Sequence, residues 1–291
     1  MKDSFFKDCC IVNYSSGIYL KGQKRLKQSL IDNGYTGDFL FFDDSDPRFK
    51  PQEEKPFAFK PLSMHIAIQR GYKYILWLDA NMICIRKPKK IFSIIKQNSI
   101  FVYSPYISNM GNWCSDYALE KFKITRDESL NITELCSAAF GIDSESEKAM
   151  IILNEWNDFA NDGITFKGIP AQYSFWDSFT NNNLIVSKDN RVKGHRHDQT
   201  ALSFLAWKYK LDIHYLEVKD VYAGNTADIK HKYSKGIAFD IEIAHNRDTK
   251  TQIFLKKYDK WGNTQGFNKL CFICLSFIDT IKRRLFYITK R

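Results

Sequence analysis

The sequence predicts an α/β fold with a mainly parallel central sheet flanked by helices. Two observations carry this. Short apolar runs of strand length alternate along the chain with longer segments whose apolar residues recur at helical spacing. The third apolar run, "KYILWL" at residues 73–78, is apolar nearly throughout, as a central strand covered on both faces must be.

"CCIVNY" (9–14) reads as the first strand, followed by a polar "SSG" turn and a helix around 21–33. "GDFLFFDD" (37–44) is the second strand, entered after Gly34 and Gly37. A proline-rich loop over 47–56 precedes a helix over 59–70, in which Leu62, Ile66 and Gln69 keep a helical period. Gly71 and Asp79 bound the third strand. Pro88 opens a helix to about residue 97, and "SIFVYS" (99–104) is the fourth strand. "LCSAAFGID" (135–143) is marked by small residues, and a helix follows it to about residue 161. "GHRHDQTALSFLAWKYKL" (194–211) is a loop feeding a helix, and "DIHYL" and "GIAFDIEIAH" read as late strands. Residues 268–291 read as a basic, aromatic-rich amphipathic helix.

The chain has 291 residues, with 44% hydrophobic and 26% charged, which suits a packed core. We expect a single domain over 1–267 with the 268–291 helix as an appendage. Lys and Arg number 43 against 33 Asp and Glu, a net charge of +10. That excess suits a phosphate-bearing ligand, an anionic membrane or nucleic acid, and equally suits plain solubility. No RNP, zinc-finger or helix-turn-helix pattern is present, so nucleic acid is not the expected partner. No GxGxxG follows the first strand, which disfavours a dinucleotide-dependent oxidoreductase. Seven cysteines at irregular spacing read as reduced thiols, and the lone Cys271/Cys274 pair lacks the second pair zinc would need. The N-terminus carries no signal-peptide pattern, and no run reaches the roughly 20 apolar residues of a membrane span. A cytoplasmic protein is expected, and its basic tail suits equally a helix lying on the cytosolic membrane face and a helix docked on the core with a basic outer face.

In parallel sheets ligands bind at the carboxyl ends of the strands. There "LWLDAN" sets Asp79 and Asn81 two residues apart after a buried strand. With "FAFKPLSMHIAIQRGYKY" before it and "RHDQTALSFLAWK" later, the segment from Cys9 to Asp143 resembles the sugar-nucleotide-binding half of GT-A glycosyltransferases, whose mark is a DxD-type motif at such a strand end. The resemblance implies a GT-A-like, Rossmann-like fold. Residues 1–143 would form the nucleotide-sugar half and 144–267 the acceptor side. It implies transfer of a sugar from a nucleotide-diphosphate donor, UDP-sugar by analogy, to a hydroxyl of a glycan or lipid-linked acceptor. It also implies Mn²⁺ or Mg²⁺ bridging the diphosphate through Asp79 and Asn81, with His245 in "IEIAHNR" as a late third ligand. Asn81 stands where the family has an acid, and a neutral amide is the weaker ligand. A binding protein with the same fold and little turnover is therefore the alternative. Asp79 and Asn81 would also serve a capped turn, and His245 a backbone contact.

Asp198 heads the "DQ" helix. It would cap the helix, and by the resemblance it lies beside the acceptor. In an inverting reaction it would deprotonate the attacking hydroxyl; in a retaining one Asp198 or Gln199 would stabilise the charged sugar or hold the acceptor. The base and ribose are expected over the first two strand ends, with Tyr14 stacking and Asp43 or Asp44 accepting hydrogen bonds. Lys60, Arg86, Arg247 and Lys250 are phosphate candidates. Gly141 would lie against the donor sugar, where a side chain would clash.

Overall fold

The computed structural model describes residues 3–84, 87–104 and 108–215, together with the strand segments 221–223 and 243–245. The chain falls into two compact units. One holds Met1–Gln23, Thr36–Ala80 and Lys89–Tyr215; the other holds Lys24–Tyr35, Asn81–Pro88 and Leu216–Arg291. The 268–291 helix, Arg86, Arg247, Lys250, Cys271 and Cys274 lie outside the described residues.

In chain order the elements are β1 (Cys9–Ser15), α1 (Leu20–Asp32), β2 (Asp38–Asp43), α2 (Phe59–Gln69), β3 (Tyr74–Leu78), β4 (Met82–Cys84), α3 (Lys89–Asn98), β5 (Ile100–Phe101) and β6 (Tyr103–Ser104). There follow α4 (Asp116–Phe122), α5 (Arg126–Ser129), β7 (Ala139–Asp143), α6 (Glu147–Asn161), α7 (His197–Lys208), β8 (His214–Tyr215), β9 (Val221–Ala223) and β10 (Ile243–His245).

The first unit is built on a five-stranded sheet of order β2-β1-β3-β7-β5. β1 pairs in parallel with β2 and β3, while β7 runs antiparallel to both β3 and β5, so four of the five strands point the same way. The sheet is mixed but mainly parallel, and helices flank it. β3 is central as expected: Ile75, Leu76, Trp77 and Leu78 are all buried.

Two expectations need correction. "SIFVYS" is not one strand. Ile100 and Phe101 pair with β7, whereas Tyr103 and Ser104 pair in parallel with β8, and the Val102 carbonyl between them accepts from the His214 N–H at 3.1 Å. The small-residue run at 135–143, which carries no expected element, contains the antiparallel strand β7. Gly141 sits in the middle of that strand. A Cβ there would come within 2.4 Å of Ile95 Cδ1 and 3.3 Å of Phe101 Cβ. Its smallness therefore lets α3 seat on the sheet, and a donor sugar is not what fills that space.

α2 is buried on most of its surface, with Lys60, Pro61, Ser63, Met64, Ile66 and Ala67 all covered. Pro61 falls in the first turn, where the missing N–H has no intrahelical partner to lose. Gly71, at φ 82°, stops the helix: its N–H donates to the Ile68 carbonyl at 2.8 Å and that of Tyr72 to Ala67 at 3.2 Å. This left-handed cap turns the chain directly into β3. α7 is buried from His197 to Ala206. A helix without an exposed face must find partners for its polar side chains, and those partners build the site.

The second unit contains a three-stranded sheet of order β4-β10-β9, with β10 antiparallel to β4 and parallel to β9. Within it the Cys84 N–H donates to Ser29 Oγ at 2.9 Å, and Asn33 Nδ2 donates to the Cys84 carbonyl at 3.1 Å, tying β4 to the end of α1. The described cysteines, Cys9, Cys10, Cys84, Cys114 and Cys136, are all buried. No helix among the described residues is long and apolar enough to cross a membrane.

Candidate active site

The carboxyl edge of the sheet gathers the polar groups. Trp77 and Asp79 are two residues apart in extended chain and so share a face. The indole Nε1–H donates to Asp79 Oδ1 at 2.8 Å. The Asp79 N–H donates to the Ala138 carbonyl at 2.8 Å, prolonging the β3–β7 ladder past the end of β3. The carboxylate is thus held from two sides while its side chain stays 23% exposed.

Lys60 reaches this carboxylate from α2. Its Nζ lies 3.0 Å from Asp79 Oδ1 and 2.8 Å from Asp198 Oδ2, and it donates to the carbonyl and hydroxyl of Ser137 at 3.2 and 3.3 Å. The Phe57 and Trp77 rings lie 5.8 and 5.7 Å from the ammonium. Burial alone would push this ammonium towards neutrality. The charges of Asp198 and Asp79 outweigh it and hold the Lys60 pKa above its ordinary value. Lys60, expected as a phosphate ligand, is therefore the internal cation between two acids. The sequence places these acids more than a hundred residues apart.

Asp198 stands in the first turn of α7 with its side chain 5% exposed. Its backbone carbonyl accepts from Trp156 Nε1 at 3.0 Å. Gln199 is engaged elsewhere: its Nε2 donates to buried Glu134 Oε1 at 2.6 Å, and Ser108 Oγ donates to the other oxygen of that carboxylate. The turn into α7 is fastened by two histidines. The His195 Nε2–H donates to the Thr165 carbonyl at 2.8 Å while Nδ1 accepts from the Ser115 N–H at 3.2 Å, which assigns the neutral tautomer. Gly168, at φ 75°, must lack a side chain because a Cβ would fall 2.2 Å from that ring. His197 takes a left-handed φ of 52°, uncommon for a residue with a side chain, and its Nδ1–H donates to the Phe166 carbonyl at 2.8 Å.

Burial lowers the pKa of both imidazoles, that of His195 well below its ordinary value and that of His197 to about 4. In the unfolded chain both titrate near 6.5. Below that pH the unfolded state binds protons that the folded state refuses, so stability falls as pH drops from about 6.5 towards 4. We expect His197 to cost about 2 kcal/mol by pH 5, with His195 acting in the same direction. Urea midpoints at pH 7 and 5 test this. The shift should shrink in His197→Phe, and an equal shift in that variant would rule His197 out as a source.

Sequence reasoning missed one residue, Asn13. Buried Asn13, near the end of β1, donates from Nδ2 to the Leu78 carbonyl at 2.6 Å and accepts from Ser15 Oγ and Gln23 Nε2, both at 2.9 Å. This amide joins the ends of β1 and β3. An amide inside the apolar run "CCIVNY" is the signal that could have found it. Tyr14 packs at 4.7 Å from the Phe49 ring and 4.8 Å from Phe59, at shallow interplanar angles, so a base would have to displace a ring to stack on it. Asp43 accepts from the N–H and hydroxyl of Ser45 in a local turn, which lowers its carboxyl pKa, and Asp44 is exposed beside it. Asn81 lies in the second unit, and its Oδ1 is buried with no hydrogen-bond partner among the described residues. His245 ends β10. Among the described residues no three His, Cys, Asp or Glu side chains are grouped to hold a metal.

No protein-family profile matches the chain, and no curated protein does. Two of the solved structures it resembles are glycosyltransferases. One is a glycosyltransferase involved in the glycosylation of the major capsid of PBCV-1, at 13% identity over 81% of this chain and 92% of that one, with a TM-score of 0.43. Another is the apo structure of the bifunctional glycosyltransferase WbbM, at 10% identity, with a TM-score of 0.47; there 81% of this chain covers 45% of the other. At these TM-scores neither likeness decides what this chain does.

Proposed function

We propose that this chain is a glycosyltransferase that moves a sugar from a nucleoside-diphosphate donor, a UDP-sugar, to a hydroxyl of a glycan or glycolipid acceptor. The observation that carries the reading is the Asp79–Lys60–Asp198 bridge at the carboxyl edge of a mainly parallel sheet. A buried ammonium held between two acids from distant parts of the chain is costly to build, and structural needs alone are met more cheaply by apolar side chains.

Asp79, the more exposed acid, faces the donor. With Asn81, whose unpartnered amide oxygen fits a cation's need for oxygen ligands, it would hold Mn²⁺ or Mg²⁺. Such an ion would neutralise charge on the departing diphosphate. Asp198 takes the proton of the acceptor hydroxyl as its oxygen bonds to the anomeric carbon and the sugar–phosphate bond breaks towards the diphosphate. The low exposure of Asp198 means that the hydroxyl must meet it stripped of water, which strengthens the contact. Lys60 neutralises one of the two acids, so that both can be kept close. The protein would work at the cytosolic membrane face if the basic tail at 268–291 binds anionic lipid.

Asn81 also supports a second reading, a sugar-nucleotide-binding protein without turnover. Thermal shift with nucleoside diphosphates, in Mn²⁺ and in chelator, separates the readings together with a donor-hydrolysis assay. We expect UDP to raise the melting temperature more in Mn²⁺ than in chelator, and UDP-sugar to be cleaved. Stabilisation without cleavage or transfer would favour the binding protein, and no shift with any nucleotide would sink both.

A further inference from the structure

The segment before α7 carries large aromatic rings where burial does not call for them. Trp176 is 57% exposed and Tyr173 38%. Exposed single aromatics are ordinary, but Trp176 is held in place. Trp176 lies in a 3₁₀ turn, Phe175–Ser178, closed by a capping box: the Trp176 N–H donates to Ser174 Oγ at 3.4 Å and the Ser174 N–H to Asp177 Oδ2 at 3.1 Å. Beneath the indole, Phe179 stacks at 5.5 Å and 18°, and Phe175 lies at 4.2 Å. The indole therefore stands on an aromatic base of buried Phe175 and half-buried Phe179.

That base leads into the site. Phe179 is 4.5 Å and Phe175 5.9 Å from the His197 ring, the residue next to Asp198. Phe175 also contacts Phe57 at 6.4 Å, and Phe57 lies under Lys60. The backbones are joined too. The His195 N–H donates to the Ser178 carbonyl at 2.7 Å, and Gly194 lies so close that a Cβ would be 2.3 Å from the Phe179 carbonyl oxygen. The turn and the start of α7 are one rigid piece, two ring contacts from indole to His197.

We propose that Trp176, with Tyr173, is the subsite for the acceptor sugar. A pyranose presents a flat face of C–H groups and an edge of hydroxyls. A fixed indole matches the face. Exposed side chains near it in sequence include Gln172, Asp177, Thr180, Asn182 and Asn183, whose amides, carboxylate and hydroxyl match the edge, beside the exposed Leu184. The proposal rests on the glycosyl-transfer reading, because it places the acceptor beside Asp198.

The test uses the full chain on a printed oligosaccharide array, with UDP-sugar hydrolysis by water measured alongside. Wild type should bind a subset of glycans, Trp176→Ala should lose that signal by about tenfold or more, and Trp176→Tyr should retain most of it. Hydrolysis, which needs no acceptor sugar, should be unchanged in both. Tyr173→Ala should weaken array binding in the same direction, and serves if Trp176→Ala melts early. Array binding by Trp176→Ala equal to wild type, or no glycan bound by wild type, would overturn the subsite. Glycan binding lost with Trp176 in a protein that neither binds nor cleaves any nucleotide sugar would uphold the subsite and sink the transferase reading.

Discussion

Replacing Lys60 with methionine should destabilise the protein by about 3–5 kcal/mol, the cost of removing one member of a buried charged group. Methionine matches the length of the lysine stem, so packing in α2 is nearly kept and the loss is electrostatic. Two acids that each lie within 3.0 Å of one nitrogen would be left facing each other. Asp79 can draw on solvent through its exposed side, whereas Asp198 cannot. Adding Asp198→Asn to Lys60→Met should therefore recover part of the stability, since one charge is gone and the other can hydrate. Urea unfolding of the wild type and the two variants at pH 7 measures this. A Lys60→Met variant within 1 kcal/mol of wild type would show that the acids do not depend on the ammonium. A double variant no more stable than the single one would show that the loss is in packing.

Asp198→Asn should lower turnover by about 10²–10⁴, the usual contribution of a positioned proton acceptor, with donor affinity little changed. The fold should survive. Lys60 keeps Asp79 and Ser137, and the Trp156 bond goes to the backbone carbonyl, which the substitution leaves in place. Asp79→Ala should instead weaken donor binding, because that carboxylate is the exposed one. The split between the two variants is the informative result. If Asp198→Asn loses donor binding as well, Asp198 acts through Lys60 on the donor side and is not the base. If it turns over within a few-fold of wild type, its carboxylate serves only to fasten α7.

Much of the fold was legible in the sequence because its signals are local. The period change between "KYILWL" and the helix before it, the stop at Gly71 and the polar triplet after Leu78 are each set by a few neighbouring residues, and the structure has β3 and α2 within a residue of those limits. Asp79 and Asp198 were both singled out, as was Lys60, but each alone. Nothing in "FAFKP" says that its ammonium will meet one acid across a turn and another from a helix about 140 residues later. That meeting depends on which faces of α2 and α7 are buried, and both are buried almost all round.

The sequence by itself determined the alternation of β1, α1, β2, α2, β3 and α3, the buried character of β3 and the carboxylate at its end, since periodicity and chain-breaking residues act over one turn or one strand. Only the tertiary structure decided strand direction and partners. An apolar run such as "AAFGID" has the same pattern whether it pairs parallel or antiparallel, so β7 and the packing demand at Gly141 became visible only when β3, α3 and β5 surrounded it. The same holds for Tyr14, whose ring is claimed by Phe49 and Phe59, and for the charge balance at Lys60. Contact between residues distant in the chain is a property of the packed core and has no local signature.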